Sequence, residues 1–313
     1  MDAQPLYFKE WDRFFLEHRS YLIAFAFRMT GSLAESEDLV QDVFIESAKV
    51  DPSKIENHKA WLTKICSHRA LDLLKSAYKQ RETYPGTWLP DAVPESLQSW
   101  SESFIDDSME KKFLLSESLT TSFLILLERL NPEERAVYLL SEIFDYSFKD
   151  IAEMLDKSEA ACRKTAQRAR DFIVANRKRF EPKSINPTEM IAKFFDLASH
   201  GDAAALSQML AQDSEFWSDG GGKVAAVPHI VRTPHEIARF FAGIYSSPQA
   251  KKIEGKMEPH QINGRPGMVL SRKLASGEWI LETLLSFEFD GDKIIRIYAQ
   301  RNPDKLKSLM PKN

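Results

Sequence analysis

Cysteine is nearly absent from the chain: Cys66 and Cys162 are the two in 313 residues. Two thiols exclude a disulfide framework and a cysteine-based zinc site, and they fit reduced side chains in helices of a cytosolic protein. Long apolar runs are missing too. Nothing approaches the ~20 consecutive apolar residues that a spanning helix needs. The opening stretch, MDAQPLYFKEWDRFF, has no basic segment followed by an apolar one, so no signal peptide is expected. Internal repeats and low-complexity segments are lacking. A positive charge excess is lacking as well, since the formal net charge is −4, which argues against a uniformly basic nucleic-acid binder. At 43% hydrophobic and 28% charged residues the composition is that of a globular protein with two or three domains, each with its own core.

What is present is organised unevenly. Residues 5–81 read as helices: an apolar stretch over 21–29, a break at Gly31-Ser32, an amphipathic segment over 33–48, and a long helix from His58 to Arg81. Residues 82–117 read as an acidic, proline-containing linker (Pro85, Pro90, Pro94), with Trp88 and Leu89 as sticky apolar residues inside it. Residues 118–180 return to helix, with starts at Asn131-Pro132 and Ser147 and a short break at Asp156–Ser158. From residue 187 to 313 the pattern is α+β. Helices are expected over 188–199, 202–211 and 233–246. Strands are expected over 214–218, 223–227, 252–262, 267–274, 278–289 and 293–300, forming an antiparallel meander with a hairpin turn at Asp290-Gly291-Asp292. Phe216 and Trp217 are assigned to the core of this cone.

Three local patterns carry chemistry. The break at 156–158 has the length of a helix-turn-helix turn. After it, residues 157–180 hold eight basic side chains against Glu159 and Asp171. Ser158, Glu159, Arg163, Lys164, Gln167, Arg168 and Arg170 suit a helix laid in the major groove, which is wide enough to admit one. Second, residues 61–81 place Lys64, His68, Arg69, Lys75, Lys79 and Arg81 beside aromatics, as a surface for an unpaired strand requires. Third, Glu37, Asp38, Gln41 and Asp42 form an acidic helix surface that repels DNA and asks for a basic protein partner.

In combination these segments resemble regions 2 and 4 of the extracytoplasmic-function (ECF) sigma factors. The matching stretches are AESEDLVQDVF (34–44), HKAWLTKICSHRALDLLK (58–75) and NPEERAVYLLSEIFDYSFKDIAEMLDKSEAACRKTAQRAR (131–170). The resemblance implies a helical bundle, region 2, over 5–81 and a helix-turn-helix, region 4, over 118–180. Their partners would be core RNA polymerase, through its β′ clamp helices and β flap, and promoter DNA. Glu37, Asp38, Gln41 and Asp42 would face polymerase. The helix around His68 and Arg69 would engage the melted −10 strand, and the helix after Ser158 would read the −35 element.

TWLPD (87–91), SDGGGKV (218–224) and RNPDKL (301–306) further resemble the subgroup with a fused SnoaL-like domain, of the NTF2-like class. Where the subgroup's linker motif continues Glu-Pro, this chain has Asp91-Ala92. The implied role of residues 187–313 is regulatory, by intramolecular contact with the sigma core through Trp88, Leu89, Pro90, Asp219, Gly220, Gly221, Gly222, Lys223, Asn302, Pro303 and Asp304. No membrane contact, cofactor or metal is expected, and catalysis is not expected because Asp219, His229, His235 and His260 form no acid–base motif. The competing reading is a one-component helix-turn-helix regulator with a ligand-binding cone. A simple regulator has no use for an acidic clamp-binding helix plus a single-strand surface.

Overall fold

The computed structural model describes residues 7–94, 114–176, 186–248 and 252–308, apart from the side chains of residues 77–82. They group into two compact units. Residues up to 82 pack with the 114–176 segment, and residues 83–94 pack with everything from 186 onward.

The first unit is helical. It contains α1 (Phe8–Thr30), α2 (Leu33–Ser47), α3 (His58–Glu82), α4 (Thr121–Glu128), α5 (Pro132–Tyr138), α6 (Phe148–Leu155) and α7 (Glu159–Asn176). Gly31 ends α1 in the left-handed conformation (φ 71°), and Ser32 caps α2 by accepting from the Glu35 amide, so one dipeptide both stops a helix and starts the next. The second half of α1, Tyr21–Thr30, is buried on every side. Its polar member, Arg28, donates to Ser118 Oγ (2.7 Å), Leu115 O (2.9 Å) and Ala24 O (2.8 Å). These acceptors hold a guanidinium whose burial presses its pKa down, and they bind the 115–118 segment to α1. Asn131 and Glu134 close a capping box at the start of α5.

The second unit is α+β. It comprises α8 (Pro187–His200), α9 (Ala203–Met209), β1 (Leu210–Asp219), α10 (Pro234–Tyr245), β2 (Gly255–Ile262), β3 (Arg265–Lys273), β4 (Trp279–Asp290), β5 (Lys293–Gln300) and α11 (Pro303–Ser308). The sheet order is β1-β5-β4-β3-β2. Its inner face packs Phe216, Met268, Leu285, Phe287 and Ile297 against Phe194 of α8 and Phe241 of α10, giving a cone.

Three expectations are corrected here. The sheet is mixed: β1 runs parallel to β5, and the connection that carries α10 separates it from the later meander. No strand forms at 223–227. That stretch turns back from Gly220, and Val231 makes the bridge to Phe216 instead. The alternation of strand side chains also separates Phe216 from Trp217. Phe216 is core, whereas Trp217 lies on the opposite face near Tyr298, with ring centroids 6.2 Å apart.

Gly267 sits where β3 passes tightly over β4. A Cβ there would collide with the Leu285 carbonyl oxygen and approach Ile262 Cδ1 to 2.8 Å. Gly267→Ala is therefore expected to destabilise the C-terminal unit by about 1–3 kcal/mol, read as an earlier unfolding transition of that unit in urea.

Candidate nucleic-acid interface and linker dock

The helix-turn-helix is built locally. α6 buries Ile151, Met154 and Leu155. Asp156 takes the left-handed conformation (φ 52°, ψ 47°) at its end, and the Ser158 hydroxyl accepts from the Ala161 amide at 3.2 Å. Helix α7 buries Cys162, Ala166, Ala169 and Ile173. Its other side exposes Glu159, Arg163, Lys164, Gln167 and Arg168. Several of these charges are already paired: Arg163 with Glu159, and Arg168 with Glu134 at 3.3 Å. Lys157 pairs with Glu133 at 3.0 Å. Arg170 differs from the sequence expectation. It is half-buried and engages both oxygens of Glu142, at 3.2 and 2.7 Å, so it ties α7 to the π-helical turn Leu139–Ile143 that follows α5 rather than projecting from the reading face.

The cations of α3 are also occupied. Lys64 donates to Glu153 O (2.9 Å) and Asp156 Oδ1 (3.0 Å), and its ammonium holds the Asp156 carboxyl below the usual carboxylate range. His68 Nε2 lies 2.8 Å from Met154 O and 3.4 Å from Asp156 Oδ2. Two residues expected to meet an unpaired strand thus meet the helix-turn-helix turn. Tyr146 reinforces the contact, with its hydroxyl 3.1 Å from both Tyr21 and Thr63. Arg69 turns the other way, to Glu46 of α2 at 2.8 Å, and Lys75 pairs with Asp72 at 3.1 Å. The side chains of Lys79 and Arg81 lie outside the described ones. On α2, Glu37, Asp38, Gln41 and Asp42 are all exposed and make no hydrogen bond or ion pair among the described residues.

The second constellation is a dock for the chain after α3, within the C-terminal unit. Asp219, at the end of β1, is fully buried. Its carboxylate accepts from Tyr84 Oη (2.6 Å), the Leu89 amide (3.1 Å), the Gly221 amide (3.0 Å) and Lys305 Nζ (2.9 Å). Lys305 also donates to Leu89 O and lies 4.4 Å from the Trp88 ring centroid. Asn302 Nδ2 donates to Tyr84 Oη at 2.8 Å. Burial and the neighbouring Asp219 carboxylate push the Tyr84 phenol up, so it stays a donor. The glycines permit the approach: Gly221 and Gly222 have φ of 60° and 68°, and a Cβ on Gly222 would stand 2.5 Å from Pro85. Lys223 and Asp304 pair at 2.5 Å across the dock, and Pro303 opens α11. Further along, Asn263 brackets Val93 with bonds of 2.9 and 3.0 Å and donates to Asp91 O at 3.0 Å. Leu89 and Pro90 are buried.

The structure brings together Trp88, Leu89, Asp219, Gly221, Gly222 and Asn302. Sequence reasoning missed Tyr84, Asn263 and Lys305. Asn263-Gly264 was findable, because that pair is a two-residue hairpin turn with both φ positive, 50° and 68°. Among the described residues no cluster of three or more His, Cys, Asp or Glu suits a metal, and no helix is long and apolar enough to cross a membrane.

Comparison with known proteins finds relatives of the helical segments and of the chain as a whole. Residues 14–80 match sigma-70 region 2, and residues 122–173 match sigma-70 region 4. The chain is 29% identical over 301 residues to the ECF RNA polymerase sigma factor SigJ of Mycobacterium tuberculosis, across 92% of this chain and 90% of that one. It is 31% identical over 198 residues to the probable ECF sigma factor SigI of the same species, across 62% of this chain and 64% of that one. The crystal structure of SigJ aligns with a TM-score of 0.69 at 25% identity, covering 96% of this chain and 99% of that one. The chain belongs to the sigma-70 family: it is an ECF sigma factor with an α+β, NTF2-like cone at its C-terminal side. As such it acts with RNA polymerase at promoter DNA.

Removing the Asp219 carboxylate leaves Tyr84, Lys305 and two amides without their acceptor. Asp219→Ala is expected to cost about 2–4 kcal/mol. Amide exchange at Leu89 should accelerate far more than exchange in the core strand β4, measured by hydrogen–deuterium exchange.

Proposed function

We propose that this sigma factor grips the β′ clamp helices of polymerase with Glu37, Asp38, Gln41 and Asp42 of α2. Its helix-turn-helix domain reaches the β flap and reads the −35 element with α7. Helix α3 holds the melted −10 strand, and the C-terminal cone tunes the process. In this reading region 2 spans 5–81, the linker 82–117, region 4 118–180 and the regulatory domain 187–313. The chain works in the cytoplasm, by binding and without catalysis of its own.

The observation that carries the polymerase assignment is the exposed row on α2. Four acceptor-rich side chains stand in one patch with no cation among the described residues to neutralise them, which suits a basic partner surface. The DNA assignment has a condition attached. Lys64 and His68 contact the backbone of Glu153 and Met154, so a strand reaches them only after the helix-turn-helix moves off α3. The free chain is then a closed form with low DNA affinity. Polymerase, by holding regions 2 and 4 at separate places, favours the open form through its differential affinity. The dock enters here, because residues 84–93, which lie in sequence between α3 and region 4, are tied to the cone.

Run-off transcription with bacterial core polymerase tests this, using the full chain, residues 1–186 and Asp219→Ala. Specific initiation by the first two, in a different ratio from wild type to truncation, is the expected result. Duplex binding with no initiation by any form would return the one-component regulator to the front. Asp38→Lys with Asp42→Lys should weaken core polymerase binding about tenfold or more at low salt, with an unchanged circular dichroism spectrum. Arg163→Ala and Lys164→Ala should each lower promoter binding, by about 1–3 kcal/mol where the side chain reads a base.

A further inference from the structure

The cone holds an open-mouthed pocket of about 600 Å³. Phe216, Phe241, Ile244, Leu270 and Leu285 form much of its wall. A well-packed core leaves few voids larger than a water molecule, whereas pockets for small ligands run from ~300 to ~1,000 Å³. At one end the lining turns polar. Ser218 and Thr283 lie on the inward side of β1 and β4, in line with core residues Phe216 and Leu285, and Tyr245 ends α10. Ser218 and Thr283 are buried. None of the three hydroxyls has a hydrogen-bond partner among the described residues, so each is free to bond a molecule held in the pocket. Burial pushes the Tyr245 phenol up, so it is a donor at neutral pH.

The charges give the sign of the missing partner. Glu282 lies 3.3 Å from Arg272 Nε and 4.0 Å from an Arg301 nitrogen. Lys256, also in the lining, lies 4.3 Å from the centroid of Trp279. Two cations of the lining, Lys256 and Arg301, therefore stand against one anion, Glu282. Donors and a small positive excess suit one negative charge with two acceptor oxygens on an apolar body.

The same residues back onto the linker dock. Arg301 donates its amide to Asp219 O (2.8 Å) and its guanidinium to Ala225 O, and it precedes Asn302, which holds Tyr84. Ala225–Pro228 forms one wall of the cavity. The Pro228 Cα lies 3.9 Å from the place a Cβ on Gly86 would occupy, so this wall touches the linker from behind.

We propose that the cone is a receptor for an apolar carboxylate. The head group sits among Arg301, Tyr245, Ser218 and Thr283, and occupancy steadies the 225–228 wall and thereby tightens the linker dock. Only the consequence for transcription rests on the sigma-factor reading above. Binding and docking are read without polymerase, so the two fail separately.

The test is calorimetric titration of the full chain with decanoate, decanol and decyltrimethylammonium, all below their aggregation limits. Hydrogen–deuterium exchange is followed at Leu89 and Val93. One decanoate should bind per chain, about tenfold or more tighter than decanol, the scale of a charge-assisted hydrogen bond, and the ammonium should not bind. Exchange at Leu89 and Val93 should slow several-fold with decanoate. Arg301→Gln should abolish the preference for decanoate over decanol. Because Arg301 also touches the dock, Thr283→Val serves as the second variant. It should weaken decanoate a few-fold while leaving Leu89 exchange in the unliganded chain at the wild-type rate. Absence of saturable binding to the folded chain overturns the proposal, as does equal affinity for decanol and decanoate. Binding with unchanged Leu89 exchange overturns the coupling.

Discussion

One buried carboxylate organises the C-terminal half of this protein. Asp219 is fully buried at the end of β1, and a charge in that position is tolerated only when donors surround it. Two of its donors, Gly221 and Lys305, come from the cone itself; the other two, Tyr84 and the Leu89 amide, come from the chain that follows region 2. The linker is therefore part of the solvation of Asp219. This is why residues 83–94 group with the cone and not with the helices they follow in sequence. A carboxylate that needs a neighbouring segment for its own stability is a physical basis for coupling the cone to that segment.

The helical unit balances charge in a similar way, at its surface. Glu133, Glu134 and Glu142 of α5 and the turn after it meet Lys157, Arg168 and Arg170. Asp156 meets Lys64 and His68. Such exposed pairs are individually weak, about 0–1 kcal/mol each, so they bias an arrangement without locking it. The packed contacts under them, around Tyr21, Tyr146 and Phe144, are the stiffer component. A DNA-binding protein whose cations are held by its own acids has low intrinsic affinity for DNA. In a sigma factor that lowers promoter binding in the absence of polymerase.

Much of this was legible from residues alone. The acidic face of α2, the basic face of α7 and the turn at 156–158 follow from helical periodicity and capping, which act over a few neighbouring residues. The three short stretches around Trp88, Asp219 and Asn302 were also visible, and the family resemblance suggested a contact among them. Trp217 was misassigned because a strand alternates its faces and an aromatic pair reads as core on either. The expected strand at 223–227 had apolar residues, but the chain turns back from Gly220 and it is Val231 that pairs with Phe216 on the outer edge of β1. Arg170 looked like its neighbours until the turn after α5 placed Glu142 beside it.

The sequence by itself determined the helices, their charged faces, the glycine-rich turn and the membership of the sigma-70 family, because each rests on local spacing or on matched stretches. Only the tertiary structure decided that Lys64 and His68 face the helix-turn-helix turn, that β1 runs parallel to β5, that Tyr84, Asn263 and Lys305 complete the linker dock, and that three hydroxyls share one apolar cavity. Those outcomes depend on which distant segments share a buried volume. Burial and the satisfaction of buried polar groups are properties of the assembled chain, and no window of neighbouring residues contains them.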